Sequence, residues 1–436
     1  MLNATPTMPV EKPSFVQALN VWLRIGLLSF GGPAAQIALM HRIIVEEKRW
    51  MEERQYLSAL SFCMLLPGPE AMQLATYVGW RLHGLRGGLA AGLLFVLPGA
   101  AVVLSLAIIY AVYGNLPLVE ALFLGVKSAV LVIVVEALLR IARRALVGTE
   151  YWIIAGLAFV GIFFFAAPFP LIVLAAALLG FWRARTAKRA VSTPVRAPKL
   201  LGETLRTIAV WLAIWFLPLG VLAVIFGPDH ILTQLGWFFS KLAVVTFGGA
   251  YAVLAYMAQD VVVHHHWLQA GQMMDGLGLA ETTPGPLILV TEFVGFTAGW
   301  RQSGGAPWTI GFLGALVALW ATFVPCFLWI FAGAPYIEWI GNQPRLKGAL
   351  DAITAAVVGV ILNLAVWFSL HVFFTKVTAV KAGPLILWTP DPSSLDPRVV
   401  VLAALSAVLL LWRHWNIAAV LAASSAGALA MKFALG

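Results

Sequence analysis

The sequence predicts an all-α polytopic membrane protein built as an inverted-topology duplication, with about 13 membrane segments. Three observations predict this fold. Of the 436 residues, 61% are hydrophobic and only 11% are charged, whereas soluble proteins carry about 25% charged residues. One set of landmarks occurs twice at a constant offset. The distribution of Lys and Arg over the connecting segments places the two copies in opposite orientations.

The repeated landmarks are a Phe-Gly-Gly sequence, a tryptophan and a Pro-Gly-Pro sequence. They lie at Phe30–Gly32, Trp50 and Pro67–Pro69, and again at Phe247–Gly249, Trp267 and Pro284–Pro286. All three landmarks are displaced by the same distance along the chain, which indicates an internal duplication. Glycine and proline interrupt helices, so each copy contains apolar pieces too short to cross a membrane. These pieces are either broken spans or re-entrant hairpins, and both alternatives return the chain to its starting face.

The remaining apolar runs predict the other segments in chain order. In the first copy the short pieces are 14–29, 34–45, 55–66 and 70–82. Two spans, 87–112 and 118–140, and a hairpin within 151–182 complete the first half. The later spans are 204–226, 308–333, 348–373, 398–412 and 416–434. The organisation is a first repeat over 1–182, a basic cytoplasmic linker over 183–203, a connecting transmembrane helix over 204–226 and an inverted second repeat over 227–436.

The composition also limits the function. The net charge of +9 is attributed to cytoplasmic loops rather than to nucleic-acid binding. No nucleotide, dinucleotide, zinc or nucleophile-elbow motif is found, so neither an enzyme nor a cofactor is predicted. His264–His266 do not predict a metal site, because three consecutive helical side chains point in different directions. The two cysteines, Cys63 and Cys326, lie in apolar runs and predict no disulfide framework.

Breaking a helix inside a membrane leaves backbone polar groups that protein, water or a ligand must satisfy. A helix N-terminus also carries about half a positive charge. Helices that begin near Pro33, Pro69 and Pro286 could therefore direct several positive ends at one anion with multiple oxygens. The alternative is that the motifs only kink helices or let them pack closely.

Charged residues inside the apolar runs are further candidates. Arg24 and Lys241 are related by the same offset as the motifs and predict an anion site, unless both side chains extend to the membrane surface. The carboxylates Glu70, Glu281 and Glu292 do not follow the repeat. Because burial favours the protonated form of a carboxylate, they are candidates for proton coupling. Helix-end charges or ion pairs explain them equally well.

These motifs resemble the chromate ion transporter (CHR) family. The resemblance rests on FGGP with Gln36 and Met40, EEKRWM, LLPGPEAMQLATYVGW, TFGGAYAVLAYM and ETTPGPLILVTEFVGF, over about residues 14–140 and 235–373. It implies a long-chain, two-domain member that exports chromate across the plasma membrane, driven by the membrane potential or a proton gradient. The motif positions that the resemblance carries over are Phe30, Gly31, Gly32, Pro33, Pro67, Gly68, Pro69, Glu70, Phe247, Gly248, Gly249, Pro284, Gly285 and Pro286. All of them except Glu70, a candidate for proton coupling, are predicted to bind the substrate together with Arg24 and Lys241.

Several alternatives stay open at the level of sequence. The same hydrogen-bond donors suit sulfate or another oxyanion, and an uncoupled anion channel would use similar groups. A membrane-embedded reductase is disfavoured, since no redox motif is present. The expected partners are the oxyanion and the lipid bilayer, and a homodimer is compatible with the sequence.

Overall fold

The structure is a computed structural model that describes residues 13–114, 116–184, 201–245, 247, 250–337, 339 and 343–435. The first half consists of α1 (Phe15–Leu28), α2 (Gly32–His41), α3 (Glu53–Cys63), α4 (Glu70–Tyr113), α5 (Pro117–Ala145), α6 (Thr149–Phe165) and α7 (Phe169–Arg183). A π-helical turn, Arg42–Glu47, extends α2, and α8 (Leu201–Phe226) connects the halves. Most of the predicted basic linker, residues 185–200, lies outside the described residues.

The second half repeats this order with additions. Its helices are α9 (Ile231–Val245), α10 (Ala250–Gln259), α11 (Ala270–Thr282), α12 (Val290–Arg301), α13 (Pro307–Gly333), α14 (Pro344–Phe373), α15 (Pro397–Ala407) and α16 (Ile417–Leu435). The strands β1 (Val377–Ala382) and β2 (Leu385–Pro390) follow α14. Short turns of π-helix (Asp260–His264 and Val408–Trp412) and of 3-10 helix (Leu287–Leu289, Ala334–Tyr336 and Pro392–Ser394) lie between these elements. The antiparallel hairpin of β1 and β2 was not predicted.

Six of the described helices are long and apolar enough to cross a membrane. They confirm an all-α membrane protein and include the spans predicted at 204–226, 308–333 and 348–373. The pieces predicted at 70–82 and 87–112 form one continuous element, α4, which bends sharply where His83 and Gly84 leave helical geometry. A Cβ at Gly79 would lie 2.3 Å from the Gly87 carbonyl oxygen, so the two legs of α4 fold back against each other.

The backbone repeats the pattern found in the sequence. Arg49 and His266, which occupy equivalent positions of the two copies, both have φ of 52°. The Trp50 amide donates to the carbonyl six residues earlier, and the Trp267 amide does the same. Gly68 and Gly285 both have positive φ, at 115° and 89°. The two copies therefore share local backbone geometry as well as sequence landmarks.

The second Pro-Gly-Pro sequence is the tip of a helical hairpin. Arg301, at the end of α12, donates through Nη1 to the Trp267 carbonyl at 3.1 Å and to Gln272 Oε1 at 2.6 Å, beside the start of α11. The outer ends of α11 and α12 therefore lie together, while Pro284–Pro286 lies at the opposite end. The segment from α11 to α12 is therefore a helical hairpin.

The halves exchange their terminal helices. The fifth helix of the first half, α5, packs against α15 and α16, whereas α14 packs against α6 and α7. Small residues permit these contacts: Gly125 of α5 lies against the Ser424 carbonyl of α16, and Gly180 of α7 lies against the Gly348 carbonyl of α14. This exchange joins both halves into one core.

The two copies are covered to different extents. In α11 the buried residues run almost continuously from Met273 to Glu281, because α5 and α14 lie close by. In the equivalent α3, only Tyr56, Ala59, Phe62 and Cys63 are buried. The repeat is thus symmetric in backbone geometry and asymmetric in packing.

Candidate functional site

The break between α1 and α2 meets the tip of the α11–α12 hairpin. The Gly285 amide donates to the Ser29 carbonyl at 2.8 Å. The buried Gln36 side chain donates through Nε2 to the Gly285 carbonyl at 2.6 Å and to the Ser29 carbonyl at 3.3 Å. We call Ser29, Gly31, Gly32, Gln36 and Pro284–Pro286 the motif junction. It joins the Phe-Gly-Gly motif of the first copy to the Pro-Gly-Pro motif of the second.

Glycine is required at this junction for two physical reasons. Gly31 and Gly32 have φ of 85° and 78°, a backbone conformation that costs energy for other residues. Gly99 of α4 lies against the tip, where an added Cβ would approach the Pro284 carbonyl oxygen to 2.2 Å. The close approach lets two backbones touch without intervening side chains.

The first Pro-Gly-Pro sequence is held by its own helix and by α13. Gln73 donates through Nε2 to the Pro67 carbonyl at 2.6 Å. Gly68 lies against the Cys326 sulfur of α13. One turn earlier in α13, the Thr322 hydroxyl donates to the Thr291 hydroxyl of α12 at 3.4 Å. Polar groups therefore continue from this tip into the second half.

Several buried polar atoms near these tips have no hydrogen-bond partner among the described residues. They are Gln36 Oε1, Gln73 Oε1 and Glu292 Oε2. An unsatisfied buried polar atom costs roughly 1–3 kcal/mol, so water or a bound ligand is the expected partner. The Glu292 carboxylate is 1% exposed and lies one residue from Thr291.

The predicted cations contact different elements. Arg24 Nη1 lies 3.4 Å from Glu47 Oε2, and both side chains are partly exposed. Lys241 Nζ lies 5.6 Å from the centre of the Tyr256 ring. Lys241 also lines a 270 Å³ cavity with Gln259 and Asn363, whose side chains are joined at 3.1 Å. The structure therefore gives the two symmetry-related cations unlike surroundings.

The predicted carboxylates also differ from one another. Glu70 is partly exposed and begins α4 directly after Pro69. Glu281 is buried and accepts a hydrogen bond from the Tyr251 hydroxyl at 2.9 Å. Phe30 is 48% exposed, and Phe247 is partly buried beside the break between α9 and α10. Gly248 and Gly249 lie outside the described residues.

Sequence analysis missed Asp275, which joins three helices. Its Oδ2 accepts from the Tyr110 hydroxyl of α4 at 2.7 Å and lies 3.4 Å from Lys127 Nζ of α5. Asp275 is 3% exposed, and Gly271 leaves room for the ammonium group. An isolated aspartate in the apolar α11 could have drawn attention, because buried charges need partners.

We expect Asp275→Asn to destabilise the protein by about 3 kcal/mol or more, because it leaves the Lys127 ammonium without its carboxylate. Thermal unfolding in detergent measures this change. The double variant Lys127→Met/Asp275→Leu should recover most of the loss. In the matched control, Asp396→Asn breaks the exposed pair with Arg398 and should cost only about 1 kcal/mol. Equal losses in the two single variants would contradict this account.

The described residues contain no group of three or more His, Cys, Asp or Glu side chains that could hold a metal ion. Within the histidine tract, His264 Nδ1 contacts Asp260 Oδ1 at 2.6 Å, while His266 has φ of 52° and contacts the Val262 carbonyl.

Comparison with known proteins gives the family. The sequence profile described as "Chromate transporter" matches residues 16–181 and 233–430, which together include both motif copies. The chain belongs to the chromate transporter family. The gap between the two matched regions contains α8. The matched regions include both Phe-Gly-Gly and both Pro-Gly-Pro motifs.

Chromate transport proteins of three bacteria resemble this member over most of its length. It is 30% identical over 414 residues to a probable chromate transport protein of Synechococcus elongatus, covering 91% of this chain and 95% of the relative. It is 32% identical to the chromate transport protein of Cupriavidus metallidurans, covering 80% and 81%. It is 32% identical to that of Pseudomonas aeruginosa, covering 82% of each chain. No solved structure matches.

Family membership and the long apolar helices together make this chain a multi-pass protein of the cell membrane. The family is one of transporters, and no catalytic arrangement was predicted from the sequence. The chromate transporters named above share the length of this chain, so the family function applies to the whole duplicated unit.

Proposed function

We propose that this family member is a secondary transporter that exports chromate, a tetrahedral divalent oxyanion, driven by the membrane potential or a proton gradient. The observation that carries the proposal is the motif junction, where breaks from both halves meet through the Gly285–Ser29 hydrogen bond. Unpartnered atoms such as Gln36 Oε1 accompany the junction. Polar backbone at membrane depth persists when a cavity or ligand uses it.

The substrate-binding groups in this proposal are the motif residues and the two cations. They are Arg24, Lys241, Phe30, Gly31, Gly32, Pro33, Pro67, Gly68, Pro69, Phe247, Gly248, Gly249, Pro284, Gly285 and Pro286. The proton-coupling candidates are Glu70, Glu281 and Glu292. Among these three, Glu292 is the carboxylate least engaged by the protein, because its buried Oε2 atom has no hydrogen-bond partner among the described residues. Glu281 already accepts from Tyr251.

The proposed topology has two re-entrant hairpins in each half, with about 13 membrane segments and the second half inverted. The paired ends of α11 and α12 support a re-entrant hairpin. The contact of 2.9 Å between the His83 ring and the Pro13 carbonyl brings the bend of α4 beside the start of α1. Cysteine labelling after Arg81 and after Arg301 should report opposite membrane faces. Labelling from the same face would contradict the inversion.

The decisive experiment measures chromate flux in vesicles of known orientation with imposed pH gradients. A coupled exporter concentrates chromate against its electrochemical gradient, whereas an uncoupled anion channel cannot. Parallel assays with sulfate test whether another oxyanion is the preferred substrate. Equal accumulation with and without an imposed pH gradient, at the same membrane potential, would contradict proton coupling. The mass of the purified protein in detergent tests a homodimer.

Gln36→Leu is expected to lower chromate flux about tenfold, because it removes the side-chain hydrogen bonds to the Gly285 and Ser29 carbonyls while keeping the side-chain volume. The measurement is initial flux per mole of protein in proteoliposomes. The matched control is Gln302→Leu, at an exposed position after α12, which should transport normally. Normal flux through Gln36→Leu would show that the junction is dispensable.

A further inference from the structure

A second cavity, of 410 Å³, lies at the end of α5. The last turns of α5 and the turn between α15 and α16 form its walls. Its lining includes Glu136, Arg140, Arg143, Arg144, Leu411 and His414. We call this cavity the arginine pocket. Its residues are not among the proposed chromate-binding groups, although Arg140 and Glu136 lie close enough to Glu281 to interact with its charge.

The arginine pocket has an excess of positive charge. Arg140 Nη2 lies 2.8 Å from Glu136 Oε2, which uses the one carboxylate in the lining. Among the described residues, Arg143 and Arg144 have no carboxylate oxygen within ion-pair distance. Three guanidinium groups and an imidazole thus share the space with a single acid. Such a cavity attracts anions.

The wall opposite α5 is structurally defined. His414 has φ of 54°, and the amides of Arg413 and Trp415 donate to the carbonyls of Val408 and Leu409 at 2.9 and 3.0 Å. The Asn416 side chain accepts from the Ala419 amide and caps α16. These bonds fix the backbone of the turn that places His414 in the lining of the pocket.

The fold itself does not require arginines here. The cavity lined by Lys241 lies beside α14, the long helix of the second half that follows α13 as α5 follows α4. When α5 and α14 are aligned at their first residues, Pro117 and Pro344, Glu136 falls on Asn363, which lines that cavity. Ala166, whose φ of 49° is close to the 54° of His414, lines it as well. The positions of α14 that correspond to Arg143 and Arg144 are Leu370 and His371. A cytoplasmic excess of basic residues accounts for their charge, but not for their convergence with His414 on one cavity.

The surroundings indicate the level of the membrane surface. Trp412 and Trp415, beside the pocket, are 76% and 47% exposed. Tryptophan is enriched where lipid headgroups begin. The rim residues Leu139 and Leu411 are also exposed, at 44% and 39%. An apolar rim around a cationic cavity suits a ligand that is anionic at one end, and basic pockets between membrane helices bind lipid headgroups.

We propose that the arginine pocket binds a tetrahedral oxyanion group of phosphate-like chemistry, supplied by an anionic phospholipid headgroup or by a free oxyanion from the water. The planar guanidinium groups of Arg143 and Arg144 each offer paired N–H donors that match two oxygens of such a group. His414 provides a further donor from the opposite wall. Arg140 remains tied to Glu136 and shapes the cavity.

The test compares thermal unfolding of the purified full-length protein in two kinds of nanodisc. One kind contains phosphatidylcholine alone and is titrated with sodium sulfate. The other contains increasing fractions of phosphatidylglycerol. All proteins carry Lys241→Gln, which removes the cation of the other cavity from the measurement. The variant is Arg143→Gln/Arg144→Gln, and the matched control is Lys376→Gln/Lys381→Gln on the exposed β-hairpin.

We expect the parent and the control to be stabilised in at least one arm, and the arginine variant to need about tenfold more ligand for the same shift. Stabilisation by phosphatidylglycerol alone identifies the lipid headgroup as the source, and stabilisation by sulfate identifies a free oxyanion. Arg143→Lys/Arg144→Lys keeps the charge without the paired donors and should give an intermediate response. An arginine variant that responds like its parent, or a parent that responds to neither ligand, would overturn the proposal.

Discussion

Chromate flux is expected to fall about 100-fold in Lys241→Gln, which corresponds to about 2.7 kcal/mol of lost interaction with the anion. Lys241 Nζ faces the Tyr256 ring, and no carboxylate oxygen lies within ion-pair distance of it among the described residues. Asp260, which also lines this cavity, contacts His264 Nδ1 at 2.6 Å through Oδ1. The Lys241 charge is therefore available to a ligand that also contacts Gln259 and Asn363. Initial flux per mole of protein in proteoliposomes measures the effect.

Two control variants test whether the effect depends on a positive charge at position 241 rather than on the net charge of the protein. Lys241→Arg keeps the positive charge and should retain much of the flux. Lys376→Gln removes one charge from the exposed start of the β-hairpin and should transport like the parent protein. The same amount of each variant must reach the membrane. A Lys241→Gln protein whose flux lies within twofold of the parent would remove this lysine from the binding site.

Gly99→Ala should abolish transport and lower thermal stability, although it adds a single methyl group. The new Cβ would lie 2.2 Å from the Pro284 carbonyl oxygen and 2.6 Å from Leu289 Cδ1. The carbonyl belongs to the backbone, so the hairpin tip and α4 must move apart beside the Gly285–Ser29 hydrogen bond, which we expect to be disturbed. Overpacking of this kind costs about 1–3 kcal/mol. Flux and unfolding temperature are both measured.

Gly220→Ala in α8 is the matched control for this change. An added Cβ at Gly220 meets no atom within 4 Å, and alanine favours helix more than glycine does. We expect normal flux and unchanged or slightly higher stability. If Gly99→Ala behaved like Gly220→Ala, the hairpin tip would have to be loosely packed against α4, contrary to the contact that the structure shows.

The local interruptions of the chain were predictable because glycine and proline act on the residues beside them. The repeated motifs located the breaks at Gly31, Gly68 and Gly285, and each of these glycines has positive φ. The bend of α4 at His83 and Gly84 also lies where the sequence separated the pieces 70–82 and 87–112. The β-hairpin at 377–390 was missed because its short strands follow a long apolar helix directly.

The partners of the charged residues were not predictable. Arg24 and Lys241 are equivalent in sequence, yet one lies beside Glu47 and the other faces Tyr256. Asp275, Tyr110 and Lys127 are far apart in the chain and meet through three helices. Such contacts depend on the register between helices, which apolar periodicity leaves undefined.

The sequence by itself determined the membrane class, the duplication, the position of each helix break and the family resemblance. These properties follow from composition and from residues that act locally. Only the tertiary structure decided that the first Phe-Gly-Gly break meets the second Pro-Gly-Pro tip, and that α5 and α14 pack against the terminal helices of the opposite half. The physical reason is that apolar helix surfaces pack in many alternative ways, and the choice among them rests on shape complementarity over the whole chain.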